Sequence, residues 1–417
     1  MSFGSANDVK EQVRQAVDIV DLVGSYVQLR RQGRNFVGTC PWHDDSRPSL
    51  QVNPERQSFK CWVCDIGGDV FSFAMKMENL EFREALELLA ERAGITLRPM
   101  HASSEPGGPP PRPENDKRTL LRVMAWAEEQ FHRCLLEAPD AEPARKYLAD
   151  RGISSDIVRR FHLGFSPPRW DWLLERARGT EWTAAMRGRV GLVIRRELEG
   201  GFYDRFRGRV LFSIRDGRGR PIAVGGRVLP QLADDRTAKY INSPETPLFS
   251  KSRELYGLDV ARDAMSRERQ AIVMEGYTDC LMAQQFGIAN VVAVLGTALG
   301  EGHLNILRRF TDSIVLVLDG DDAGRRRTNE IIDTLLALFT KNQIDLRILT
   351  LPEGVDPCDF IATHGSDAFR QLLASAVDAL EHKFRSVTQG LDTTTDTHRA
   401  SQAVEQVLAT LAQTRAT

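Results

Sequence analysis

The chain has 417 residues, 27% charged and 42% hydrophobic, with a net charge of -2; that length suits two or three domains with ordinary cores. No apolar run approaches the ~20 residues that span a bilayer, and the N-terminus lacks a basic-then-apolar signal layout, so a cytoplasmic protein without membrane contact is expected. Six cysteines in so long a chain do not make a disulfide scaffold, and in a reducing compartment they read better as metal ligands or core residues.

In chain order, residues 8–30 carry Val9, Val13, Val17, Val20 and Val23 at helical spacing, ending near Gly24. Short strand-like runs follow over 35–73. They surround Cys40, His43, Cys61 and Cys64, spaced C-x2-H-x17-C-x2-C. Each two-residue gap makes a tight knuckle that aims two ligands at one point. Two knuckles together supply the four N/S donors of tetrahedral zinc. Four protein ligands leave no open position for a catalytic water, so one structural Zn2+ is expected, contributing folding energy to a small domain. Arg30, Arg31, Arg34 and Lys60 lie around the knuckles, interleaved with Phe36, Phe59, Trp62 and Phe71. Cations with exposed aromatics suit single-stranded nucleic acid; the same aromatics would serve equally as a small core.

The stretch "NLEFREALELLAERAGI" predicts an amphipathic helix stopped by Gly94. Next comes "RPMHASSEPGGPPPRPENDK", too rich in Pro, Gly and Ser to pack, and therefore a flexible linker. Helices are expected over roughly 116–150, then basic strands to about 255. Between Arg187 and Arg227 stand eleven arginines against four acids. Their alternation with apolar residues predicts strands that present arginines on one face, a surface for phosphate groups. From 270 onward, apolar strands alternate with helices, the pattern of a parallel, helix-covered sheet. The tail from about 366 is helical in pattern, interrupted by "GLDTTTDT". Cys134 and Cys280 read as small core residues.

Three predicted strands end in acids: Glu275 in "AIVMEGYTD", Asp319 and Asp321 in "SIVLVLDGDDAG", and Asp356 after "ILTLPEGV". Functional groups gather at the carboxyl ends of strands in open parallel sheets. Converging carboxylates need cations between them, and oxygen donors suit Mg2+ or Mn2+. Such ions clamp the attacking and leaving oxygens of phosphoryl transfer.

In this order, "CPWH…FKCWVCDIGGDVFSF", "YLADRGIS…FHLGFSP", "YDRFRGRVLFSIRDGRGRPIAVGGRVL", "KYINSPETPLFSKSRELYGL", "EGYTD" and "DGDDAG" closely resemble the bacterial replicative DNA primase family (DnaG type) over nearly the whole chain. The resemblance implies a multidomain α+β and α/β architecture. A zinc-ribbon-like domain would occupy 1–98 and a flexible linker 99–115. A basic subdomain of an RNA polymerase domain would span 116–268, a Toprim (topoisomerase–primase) catalytic subdomain 269–351, and a helical tail 352–417. It implies DNA-templated synthesis of short RNA primers from ribonucleoside triphosphates on single-stranded DNA, by a monomer at the replication fork.

Carried over residue by residue, Glu275, Asp319 and Asp321 would bind two or more catalytic Mg2+ ions, Mn2+ substituting, with Asp356 assisting. Arg227, Lys239, Asn242 and Lys251 fall on positions tied to template or nucleotide phosphates. Asp279 closes the E-G-Y-x-D motif, where the resemblance implies a structural role, stabilising the loop after Glu275, as one reading of it. Where the family shows D-P-D, this chain has Asp356-Pro357-Cys358-Asp359, which leaves open whether Cys358 or Asp359 fills the last acidic position. The family's helicase-docking domain is not seen after the short tail, although the replicative helicase remains the partner the resemblance implies. No Gly-Lys pair occurs in the chain, which excludes a helicase phosphate loop of the G-x4-G-K-[ST] type.

Overall fold

The computed structural model describes residues 6–43, 45, 47–78, 82–95, 116–196, 200–234, 237–318, 339, 344–352, 354–388, 398, 401–405 and 407–408. The expected linker and the Asp319–Asp321 pair lie outside these residues. The chain divides into two compact units, Met1–Pro110 with Leu307–Thr311, and Pro111–Ile306 with Asp312–Thr417.

The first unit opens with helices α1 (Ala6–Ala16) and α2 (Ile19–Gly24). Asp18 starts α2 by accepting the amides of Val20 and Asp21 at 2.8 and 3.0 Å, satisfying donors that have no partner inside the helix. Five antiparallel strands follow in sequential order: β1 (Arg30–Gln32), β2 (Asn35–Gly38), β3 (Leu50–Asn53), β4 (Ser58–Cys61) and β5 (Gly67–Gly68). Helices α3 (Val70–Glu78) and α4 (Phe82–Arg92) complete the unit. Because strand side chains alternate faces, Leu50, Val52, Phe59 and Cys61 point into the core with Leu22, Phe73 and Leu89. The opposite face carries Arg30, Val37, Gln51 and Lys60, paired directly across four strands.

In the second unit the long helix α5 (Lys117–Glu137) is followed by α6 (Glu142–Asp150), α7 (Ser155–Arg160), β6 (Gly164–Ser166), α8 (Trp172–Arg176) and α9 (Ala184–Arg189). Strands β7 (Val193–Arg195) and β8 (Phe202–Asp204) pair as a ribbon. A four-stranded antiparallel sheet has the order β11–β10–β9–β6, with β9 at Arg209–Arg215, β10 at Pro221–Val228 and β11 at Tyr240–Asn242. Leu120, Val123, Met124, Ala127 and Phe131 of α5 enter the same core as Val210, Phe212 and Val224 of this sheet. Gly164 lets α5 come close, since a Cβ there would overlap Phe131.

After α10 (Leu258–Glu268) comes the expected parallel sheet, built from β12 (Ala271–Met274), α11 (Tyr277–Gln285), β13 (Val291–Ala293), α12 (Glu301–Leu307), β14 (Ser313–Leu318) and β15 (Asp345–Thr350). Helix α13 (Pro357–Ala374), strand β16 (Val377–Asp378) and helix α14 (Ala379–Thr388) follow. The order is β13–β12–β14–β15–β16, parallel except for β16. The tail therefore contributes a strand as well as helices, a two-residue element too short to leave a period in the sequence. No helix among the described residues is long and apolar enough to cross a membrane.

Candidate active site and metal centre

Cys40 follows β2, His43 stands in the turn after it, Cys61 ends β4 and Cys64 lies in the turn before β5. One ligand atom from each lies within 4.8 Å of the others. Cys40 Sγ and Cys64 Sγ are 3.7 Å apart, as are Cys61 Sγ and His43 Nδ1. A tetrahedron of ~2.3 Å Zn–S bonds has edges of about 3.8 Å, so the donor set fits zinc. Burial raises the Cys61 thiol, but the Ser49 hydroxyl and the amides of Cys64 and Val63 outweigh it and hold the thiol below its usual value. Those amides lie 3.5 and 3.4 Å from Cys61 Sγ. Burial pushes the Cys40 thiol up, and the neighbouring Cys61 and Cys64 sulfurs add to the rise.

The four aromatics near this centre do not share one fate. Phe59 and Phe71 are buried, Phe36 is partly buried, and Trp62 is 71% exposed. Trp62 sits at the tip of the second knuckle, its Nε1 donating to Gln51 Oε1 at 3.2 Å. Arg30, Arg31 and Arg34 are exposed, while Lys60 pairs with Asp65 at 2.5 Å.

In the second unit Glu275 immediately follows β12 and is partly buried. Two turns of chain bring other acids near one another. Asp279 is buried in the first turn of α11, and Asp356 caps α13 by accepting the Asp359 amide at 2.7 Å. One ligand atom each of Asp279, Asp356 and Cys358 lies within 4.8 Å of the others. Gly276 makes room, since a Cβ there would overlap the Asp279 carboxylate. Cys358, not Asp359, therefore faces this cluster, and Asp359 is exposed. Burial, then the charges of Asp279, Asp356 and Asp359, push the Cys358 thiol up to about 12.

Many of the arginines expected on one strand face are instead structural. Strands β9 and β10 are buried almost throughout. Arg209 donates to the carbonyls of Gly226, Lys239 and Ala238 at 3.1, 3.2 and 2.8 Å. Arg187 holds the Leu173 carbonyl at 3.1 Å, and Arg215 pairs with Glu128 at 2.8 Å. A central strand buries both faces, so its guanidinium groups must be satisfied internally.

Arg227 differs from these. It is buried between the rings of Tyr147 and Tyr240, at 5.2 and 5.1 Å, and its Nε has no hydrogen-bond partner. Lys239 is exposed and Lys251 half-exposed. Asn242 is engaged at both ends of its amide: it donates to the Leu295 carbonyl at 2.7 Å and accepts from the Tyr277 hydroxyl at 2.7 Å. It ties β11 to the segment after β13 and to the first residue of α11, two residues beyond Glu275. Gly225 makes the tie possible, because a Cβ there would overlap the Tyr277 ring.

A further surface was not singled out from the sequence. Trp170 is 57% exposed and lies 3.9 Å under the Arg207 guanidinium, with Tyr203 5.4 Å away and Arg196 over Tyr203. "RW" at 169–170 and "YDRFR" at 203–207 are the signals. Only the β7–β8 ribbon shows that they meet.

Comparison with known proteins follows the same order along the chain. The CHC2 zinc finger family matches residues 5–105, the N-terminal domain of the DNA primase catalytic core matches 131–262, and a Toprim-like family matches 272–361. The DNA primase of Halalkalibacterium halodurans is 36% identical over 381 residues, covering 91% of this chain and 61% of that relative. The chain thus spans about three fifths of that relative's length. The crystal structure of the zinc-binding and RNA polymerase domains of Aquifex aeolicus primase superposes with a TM-score of 0.60 at 30% identity, covering 98% of this chain and 96% of that one. A DnaG primase catalytic domain bound to single-stranded DNA superposes with a TM-score of 0.62 at 36% identity, covering 71% and 93%.

Proposed function

This chain belongs to the bacterial DNA primase family, and on that premise we propose that it synthesises short RNA primers on single-stranded DNA. The observation that carries the reading is the set of acids at the carboxyl ends of a parallel sheet, with Glu275 directly after β12 and Asp356 at the start of α13. A likeness to a catalytic domain whose structure holds single-stranded DNA supports the template class.

In this reading Glu275, Asp319 and Asp321, with Asp356, hold the catalytic divalent ions, Mg2+ or Mn2+. Bound there, such ions stabilise charge on the attacking and leaving oxygens. The 3′-hydroxyl of one ribonucleotide attacks the α-phosphate of the next; the new P–O bond forms as pyrophosphate leaves, and the hydroxyl proton passes to solvent or to a basic group. Arg227 and Lys239 take up phosphate charge. The unpartnered Nε of Arg227 supports this assignment, because a buried guanidinium N–H without an acceptor is costly. Lys251 serves the same charge from the half-exposed loop after β11. Asn242 acts through Tyr277, holding the start of α11 rather than offering its amide to a ligand.

Trp170, Tyr203, Arg196 and Arg207 provide stacking rings and cations for template, and the zinc unit reads the template at initiation. The replicative helicase is the proposed macromolecular partner.

The test is primer synthesis on single-stranded DNA with labelled ribonucleotides and Mg2+ or Mn2+. Short RNA products are expected. Glu275→Gln and Asp319→Ala should each lower their yield by about 10²-fold or more, the usual scale for losing transition-state charge stabilisation, while DNA binding and folding persist. Near-wild-type synthesis by both variants would overturn the assignment of the acids.

A further inference from the structure

Asp45 lies two residues after His43 of the first zinc knuckle, and its side chain is only 5% exposed. A carboxylate so buried needs several donors to offset its lost hydration. It has them: Asp45 Oδ2 accepts the Cys40 amide at 2.7 Å, the Ser49 amide at 3.1 Å and the Ser49 hydroxyl at 2.7 Å. The other oxygen, Oδ1, stands 3.5 Å from His43 Nε2. That ring nitrogen is buried and has no hydrogen-bond partner, whereas Nδ1 faces Cys61 Sγ at 3.7 Å. Ser49 also reaches the second knuckle, its Oγ lying 3.3 Å from Cys61 Sγ.

We propose that Asp45 is the positioning residue of the zinc centre: it holds His43 in the tautomer that carries its proton on Nε2 and turns the Nδ1 lone pair toward the ion. A neutral imidazole has one donor and one acceptor nitrogen. Nδ1 can ligate only if the proton sits on Nε2, and a buried N–H at Nε2 then needs an acceptor. Asp45 Oδ1 is the acceptor that faces it. The same carboxylate pins the Cys40 amide and, through Ser49, touches the sulfur of Cys61, so one side chain ties both knuckles to a common geometry. Only a carboxylate accepts at both oxygens. In Asp45→Asn the amide NH2 must face either the donors of Cys40 and Ser49 or the Nε2–H of His43, and each choice sets donor against donor. Asp45→Glu keeps two acceptors on a longer arm.

This inference concerns the zinc ligands alone and does not depend on the catalytic reading. Two measurements on the zinc-loaded full chain, and a third on the Co2+-substituted variant, test it. In the wild type, long-range ¹H–¹⁵N correlation of the His43 ring should show the proton on Nε2 and a metal-shifted Nδ1; the opposite tautomer overturns the proposal, whether or not any variant folds. Zinc transfer to a chromophoric chelator should show affinity lowered by ~10–100-fold in Asp45→Asn, the usual cost of losing such an outer partner, with a smaller loss in Asp45→Glu. Wild-type zinc retention by Asp45→Asn would equally overturn it. The ligand-field bands of the Co2+-substituted variant report whether the tetrahedral site of three sulfurs and one nitrogen still assembles, which separates a weakened clamp from an unfolded unit.

Discussion

Cys358 occupies a place between two carboxylates, and this single position shows what a residue's neighbours decide. Asp356, Cys358 and Asp359 stand around one proline in the sequence, and either of the last two could complete the acidic set. The helix start sorts them: Asp356 takes the N-cap with its side chain on the Asp359 amide, so Asp359 turns outward and Cys358 turns in. No pattern in the sequence announces which residue is the cap, because Asp at either position would serve. In Cys358→Asp a third carboxylate joins Asp279 and Asp356 in a buried cluster. Without divalent cations the like charges should destabilise the second unit by roughly 1–3 kcal/mol, the common range for such buried changes. With millimolar Mg2+ the loss should be recovered, because oxygen donors suit that ion better than a thiol does. Thermal unfolding with and without Mg2+ checks this. A variant whose Tm responds to Mg2+ no more than the wild type does would show that the cluster holds no cation.

At the scale of elements, the sequence is legible where a period is long and poorly legible where burial is two-sided. The parallel sheet from β12 to β15 could be read, since apolar strands alternate with helices over some eighty residues. The basic strands could be read as strands, but the destination of their arginines could not. An arginine on a central strand has the same spacing whether it meets phosphate or, like Arg209, caps carbonyls of its neighbours. Arg215 illustrates the cost of such burial. It joins Glu128 of α5, which also accepts the Ser213 hydroxyl and stands 3.8 Å from His162 Nδ1. The His162 ring also lies against that of His132, tilted by 30° with centroids 4.9 Å apart, and Glu129 lies within its field. Burial, then Arg215 and His132, hold the His162 imidazole below its ordinary value against the pull of Glu128 and Glu129. The folded state therefore disfavours the imidazolium while the unfolded chain accepts it near pH 6.5. Stability from this group is complete above that pH and is lost as pH falls from it through the lower folded-state value, because in that interval the unfolded state binds more protons. Urea unfolding of the wild type should give a lower midpoint at about pH 5.5 than at about pH 7.5, and His162→Gln should shrink that difference. An unchanged difference in the variant would place the acid sensitivity elsewhere.

The molecule as a whole joins two units with cores of very different size. Among the described residues, the second holds α5, a four-stranded and a five-stranded sheet, the β7–β8 ribbon and most of the buried apolar residues; the first relies on five short strands, one only two residues long, and four helices. Small domains bury a smaller share of their surface and often need a metal. The cysteine and histidine spacing made that need visible in the sequence, because two knuckles are local and rigid. The Asp45 network was not visible, because its donors come from an amide on each side and from a serine whose partner is fixed only by the fold. Zinc binding free energy is folding free energy when the site forms only in the folded state. Removing zinc with a strong chelator should therefore melt the first unit and leave the second folded. Hydrogen exchange followed by mass spectrometry reads the two separately. Amides of β3 and β4 should lose most of their protection on chelation, while those of β9, β10 and β14 keep theirs, and added Zn2+ should restore the first set. Protection of β3 and β4 that survives complete zinc removal would mean that the apolar core of Leu22, Val52, Phe59 and Phe73 suffices, and that the ion orients the knuckles without supporting the fold.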